Sequence, residues 1–87
     1  MEETAEEMYY DGYYNLFNAC IYFCKKTTFT VKEIQMLIYM IDGCLSLYEK
    51  ILEDPEWSLP NDNKEFLEKS KERFENILNY FDIEIKD

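Results

Sequence analysis

The chain's only two prolines, Pro55 and Pro60, lie in one short segment, and everything before and after is free of the residue that most strongly interrupts a helix. Two N-terminal signatures divide the first part. Thr4 with Glu7 forms a T-x-x-E capping box. Thr30 with Glu33 forms a second, with Phe29 before the cap and Ile34 placed to pack back on it as a hydrophobic staple. The spacing predicts a first helix over about residues 4–26, an interruption at the β-branched TTFT, and a second helix over about 31–53. The segment DPEWSLPNDN reads as a linker, after which Asp62 or Asn63 caps a third helix over about 62–81. The final DIEIKD alternates apolar and polar residues and suits a last helical turn or a short strand. The expected fold is all-α: a single small domain over residues 1–87, with an antiparallel hairpin of two helices and the third packed on one face.

The chain carries 19 acidic against 9 basic residues, yet 47% of it is hydrophobic and 17% aromatic, too apolar for a disordered acidic tail. The apolar residues are unevenly shared. On the third helix Phe66, Leu67, Ser70, Phe74, Ile77, Leu78 and Phe81 form one ordinary stripe. On the first, the apolar arc covers roughly 240° of the wheel, and on the second roughly 220°. One neighbour cannot cover either arc, so a partly apolar face of the hairpin is left over. With residue i opposite 57 minus i, Gly12 is expected near Leu45 and Gly43 near Tyr14. The glycines there permit close backbone approach between bulky aromatics, or act as a hinge.

The formal charge of -10 has a location. It divides as -3 over residues 1–30, -5 over 31–62 and -2 over 63–87. Antiparallel pairing places Glu2, Glu3, Glu6, Glu7, Asp11, Glu49, Glu53, Asp54 and Glu56 at one pole, with Lys50, Lys64 and Lys69 the nearby cations. Acids in the first turn suit the helix dipole, whereas Glu49, Glu53 and Asp54 sit at a helix C-terminus, where it opposes them. Glu3, Glu7, Tyr10 and Tyr14 fall along one edge of the first helix, and Tyr39, Asp42, Ser46, Glu49 and Glu53 on the polar face of the second. Phenols alternating with carboxylates suit a surface for a basic protein. The competing reading makes the tyrosines boundary core residues and the acids a solvated face.

Several chemistries are excluded or disfavoured. The chain has no histidine and a single arginine, Arg73, which removes the commonest general base and metal ligand and the usual clamp for anions. No phosphate-binding glycine loop, serine elbow or Cys/His pair occurs. An enzyme is not expected, nor is a cofactor. Asp54, Glu56, Ser58, Asp62 and Glu65 imitate a calcium loop, but Leu59 replaces the required glycine and Asn61 an apolar residue. Trp57 reads as a plug over the open end of the bundle, with a binding aromatic as the alternative. Cys20, Cys24 and Cys44 read as reduced core residues, with a reactive thiol or an intermolecular disulfide as the alternatives. The acid-flanked EEMYYDGYY is also a conceivable target of tyrosine modification. No stretch reaches the roughly 20 apolar residues of a membrane span, and the acidic MEETAEEM is unlike a basic leader, so a cytoplasmic location is expected. The charge repels nucleic acid and anionic lipid and favours a basic protein surface.

The leading expectation is an inhibitor that occupies the nucleic-acid-binding surface of a partner such as a nuclease. Glu3, Glu7 and Asp11 rise about 6 Å per step along a helix, close to every second phosphate of a strand advancing about 3.4 Å per nucleotide. In composition the chain resembles the small acidic phage proteins that block nucleic-acid-guided defence nucleases, anti-CRISPR proteins among them. The resemblance rests on no motif. It implies a nucleic-acid mimic acting in an infected cell. Alternatives are a bacteriocin-nuclease immunity-type protein, although the tyrosine-pair motif of that family is not identifiable here, and a structural or regulatory homodimer joined through the apolar face of the hairpin.

Overall fold

The computed structural model describes residues 4–81. They form three α-helices: α1, Ala5–Cys24; α2, Val31–Leu52; and α3, Asn61–Tyr80. The first two begin where the capping boxes place them. Thr4 Oγ1 accepts from the Glu7 amide at 3.2 Å. At Thr30 the box is reciprocal: Thr30 Oγ1 accepts from the Glu33 amide, and Glu33 Oε1 accepts from the Thr30 amide, both at 3.1 Å. Lys26 closes the interhelical turn by pairing with Glu33. That ammonium, then the Thr30 amide, holds the Glu33 carboxyl below its ordinary pKa.

The third helix starts differently from the expectation. Pro60, not Asp62 or Asn63, is the N-cap, with no side-chain capping bond, and its carbonyl accepts from the Asn63 amide at 3.1 Å. The proline ring holds φ at -60° with ψ extended, so the chain enters the helix without a polar cap. The expected turn or strand in DIEIKD lies outside the described residues.

α2 is the central element and packs against both α1 and α3. Cys20, Cys44, Ile41, Leu67, Phe74 and Leu78 are fully buried, and Leu59 carries the linker into the same core. Cys20 and Cys44 meet across the hairpin with their sulfurs 3.8 Å apart, and all three cysteines are free thiols. Contact with Cys44 and burial push the Cys20 thiol far above its ordinary pKa. α3 and the linker cover one side of the hairpin: Phe66 meets Phe17 edge-on at 5.8 Å, Phe74 meets Phe29 at 5.3 Å, and Trp57 lies on Tyr10. Phe81, expected in the buried stripe, is exposed beyond the helix end beside Tyr80.

The hairpin register differs from 57 minus i. Gly12 faces Leu47 rather than Leu45, and Gly43 faces Leu16 rather than Tyr14. Side chains lean toward the N-terminus of their own helix, so a given spot is covered by a residue about one position further along. Glycine has no side chain to lean, so the leucine's lean accounts for about one of the two residues and the rest is a shift of the backbone register. The radius of gyration, 14.3 Å, exceeds the roughly 12 Å of a round domain of this length, leaving broad helix faces outside the core.

Candidate functional site

The acids expected at one pole arrive from three places. α1 contributes Glu6 and Glu7 in its first turn, α2 ends at Glu53, and the linker adds Asp54 and Glu56. Glu6, Glu7, Asp54 and Glu56 line a cleft of about 460 Å3 together with Trp57. An adjoining cleft of about 510 Å3 brings Glu53 beside Glu6, with Lys50 on its wall. Lys50 is 4.0 Å from Glu53, and both side chains are mostly exposed, so their attraction is weak. Asp54 Oδ1 accepts from the Glu56 amide at 2.9 Å, which fixes the linker's first turn. The α1 acids gain from the dipole at a helix N-terminus, whereas Glu53 stands at the C-cap, where the last carbonyls oppose it. The opposite end of the hairpin carries Lys25, Lys26 and Lys32, of which Lys26 pairs with Glu33.

The remaining site residues are dispersed. Asp11 is exposed one turn beyond Glu7, and Glu3 lies outside the described residues. Tyr10 and Tyr14 do not form a free edge. The Tyr10 ring lies 4.4 Å from Trp57 and 5.0 Å from Tyr14, and its hydroxyl donates to the Ser58 carbonyl at 3.4 Å. Hydrogen bonding to Tyr14, then burial, raises the Tyr10 pKa. Both rings are therefore boundary core residues, and Tyr10 seats the linker.

Asp42 stays half-exposed on α2 and pairs with Lys71 of α3 at 2.7 Å. Glu49 looks into the groove between α2 and α3, among Lys64, Glu68 and Lys71, and not across to α1. Tyr39 is exposed but stands some 20 Å along α2 from Glu53 at 1.5 Å per residue. Lys64 and Lys69 pair within α3, with Glu68 at 3.9 Å and Glu65 at 2.6 Å. They do not offset the pole. Trp57, absent from the expected binding set, packs against the core at the bundle end and also forms a wall of the acidic cleft. Its position among Asp54, Pro55 and Glu56 was the available signal.

Among the described residues no group of three or more Cys, Asp or Glu side chains is placed to hold a metal ion. None of the described helices is long and apolar enough to cross a membrane. Compared with protein-family models, curated proteins and solved structures, the chain shows no match.

Proposed function

We propose that the chain is a non-enzymatic, cytoplasmic binding protein whose acidic pole occupies a basic, nucleic-acid-binding surface of a partner protein, as a nuclease inhibitor would. The supporting observation is the convergence of Glu6, Glu7, Glu53, Asp54 and Glu56 from separate segments onto two adjoining clefts at one end of the hairpin. Grouping like charges costs stability, and Glu53 also opposes the helix dipole, so fold stability does not account for the arrangement. A lysine or arginine entering the Trp57 cleft meets carboxylates on its walls and an aromatic ring beside them. Glu7 and Asp11, one turn apart and exposed, add anions down α1 at a rise comparable to alternate phosphates.

The test immobilises the purified chain and passes an extract of its source cells over it at low salt. A nucleic-acid-binding protein should be retained, released by high salt or competing duplex DNA, and lost when Glu6→Lys, Glu7→Lys and Glu53→Lys are combined. Retention of the same partner by a folded triple variant, or release indifferent to salt and DNA, overturns the reading.

A further inference from the structure

α3 covers one face of the α1–α2 hairpin and leaves the other open. On the open face lie Met8, Leu16 and Phe23 of α1 and Met36, Met40 and Leu47 of α2. Met8 is 62% exposed and Met36 51%, while the other four are half-buried. Near the acidic end, a shallow hollow of about 310 Å3 is walled by Ala5, Met8, Tyr9 and Leu47, with no charged residue among them. An uncovered apolar face spanning two helices is more than a monomer of this size needs to expose.

Two further observations bear on what covers it. A Cβ added at Gly43 would meet only Leu16 Cδ1, and one at Gly12 only Leu47 Cδ1, each at an ordinary 3.8 Å. Packing within one chain therefore requires glycine at neither position, although each costs about 1 kcal/mol against alanine inside a helix. Helical phase puts both glycines on the open face, so the room they leave opens outward. Charge supplies the second observation. Glu6, Glu53 and Asp54 mark one end of the hairpin, and exposed Lys25 and Lys32 mark the other.

We propose that this face docks a second copy of the same chain, antiparallel, about a two-fold axis lying in the interface at right angles to the helices. That orientation sets the acidic pole of each copy beside Lys25 and Lys32 of the other; parallel stacking would set two acidic poles together. With the axis near the level of Gly43, the α2 helices approach most closely at the glycines, and Met40 of each copy lies over Leu47 of the other. The product is a four-helix bundle of two stacked hairpins with an α3 outside each. Two helices about 30 Å long and 10 Å wide present about 600 Å2 per copy, or about 1,200 Å2 in all, within the range of specific interfaces. The complementary ends favour this occupant over an unrelated amphipathic helix, since the chain itself carries both charges.

Sedimentation of the full chain over a range of concentrations tests the proposal. The wild type should pass from monomer to dimer as concentration rises. Met8→Lys with Met36→Lys, at exposed positions, should keep its helix content by circular dichroism and weaken dimerisation by roughly tenfold or more, because a buried unpaired charge is costly. Lys25→Glu with Lys32→Glu should weaken it at low salt and much less at high salt. A wild type that stays monomeric at every concentration overturns the proposal, as does a dimer indifferent to the methionine substitutions. A dimer unaffected by the lysine reversal at low salt overturns the antiparallel arrangement. These variants leave the acidic pole intact, so failure here is distinguishable from failure of the binding function proposed above.

Discussion

Leu16 reaches across the hairpin to Gly43 and Leu47 reaches back to Gly12, each leucine Cδ1 standing 3.8 Å from where a glycine Cβ would be. The two contacts are reciprocal, one turn apart on each helix. Because 3.8 Å is ordinary contact, the fold has room for alanine at both positions. In the monomeric Met8→Lys, Met36→Lys background, Gly12→Ala and Gly43→Ala should each stabilise the chain by up to about 1 kcal/mol, read as a higher urea midpoint. In the wild-type background Gly43→Ala should instead shift the sedimentation equilibrium toward monomer. A lower urea midpoint in the monomeric background would show that the hairpin itself needs the glycines.

Tyr13 is, with Tyr48, among the largest fully buried side chains of the described residues, and its hydroxyl has no hydrogen-bond partner. Burial pushes its pKa up to about 12; the Asn63 side chain works weakly in the other direction without reaching hydrogen-bond geometry. Leaving a buried donor unsatisfied is costly, so Tyr13→Phe should be neutral or stabilising by about 1 kcal/mol at neutral pH. The pH dependence has a definite sign. The unfolded phenol ionises near the ordinary value of 10.0 and the folded one at about 12, so the neutral side chain's contribution is full below pH 10 and is lost as pH rises toward 12. The advantage of Tyr13→Phe, measured by urea unfolding at stepped pH, should therefore grow over that window. An advantage that is flat with pH would contradict the burial argument.

Tyr13 also shows what local sequence conveys and what it does not. Tyr13 is legible as core because its neighbours at helical spacing are apolar. The lack of a partner for its hydroxyl depends on which side chains the other elements bring over it, and the α1 pattern does not carry that. Thr30 and Glu33 need only each other, so their box can be read directly. The acidic pole is also legible, since a short turn between two helices is enough to bring Glu6 beside Glu53. Tyr10 and Asp42 are not. A wheel around α1 cannot distinguish the side facing solvent from the side facing a linker whose Ser58 carbonyl is 48 residues away. Nor does the acid pattern of α2 reveal that α3 will bring Lys71 alongside.

The Asp42–Lys71 pair has a modest expected weight. The side chains are 47% and 33% exposed, so solvent screens the attraction despite the 2.7 Å contact. A double-mutant cycle with Asp42→Asn and Lys71→Gln should give a coupling of about 0.2–1 kcal/mol, diminishing with salt. Because Asp42 is engaged by α3, Asp42→Asn should leave partner retention unchanged where the combined Glu6→Lys, Glu7→Lys, Glu53→Lys change abolishes it. Loss of the partner on Asp42→Asn alone would place the binding surface on the α2–α3 side.

Trp57 is the only tryptophan, so intrinsic fluorescence reports directly on the acidic cleft. Its ring lies on Tyr10 at 4.4 Å, tilted 41°, and Glu6, Glu7, Asp54 and Glu56 line the same cleft. Replacing a half-buried ring removes less packing than the 3–5 kcal/mol of a fully buried one, so Trp57→Ala should destabilise the fold by about 1–2 kcal/mol. Trp57→Phe should recover most of that through the Tyr10 contact. The electrostatic environment has its own readout. A cluster of carboxylates concentrates cations and excludes anions near the ring, so caesium should quench Trp57 more, and iodide less, than each quenches a free tryptophan amide. High salt should bring both ratios toward the free values. Glu7→Gln with Glu56→Gln should do the same at low salt, without moving the emission maximum if the Tyr10 contact persists. Equal relative quenching by both ions in the low-salt wild type would mean that the carboxylates do not create a negative field at Trp57, and the cleft would lose its claim to attract a basic side chain.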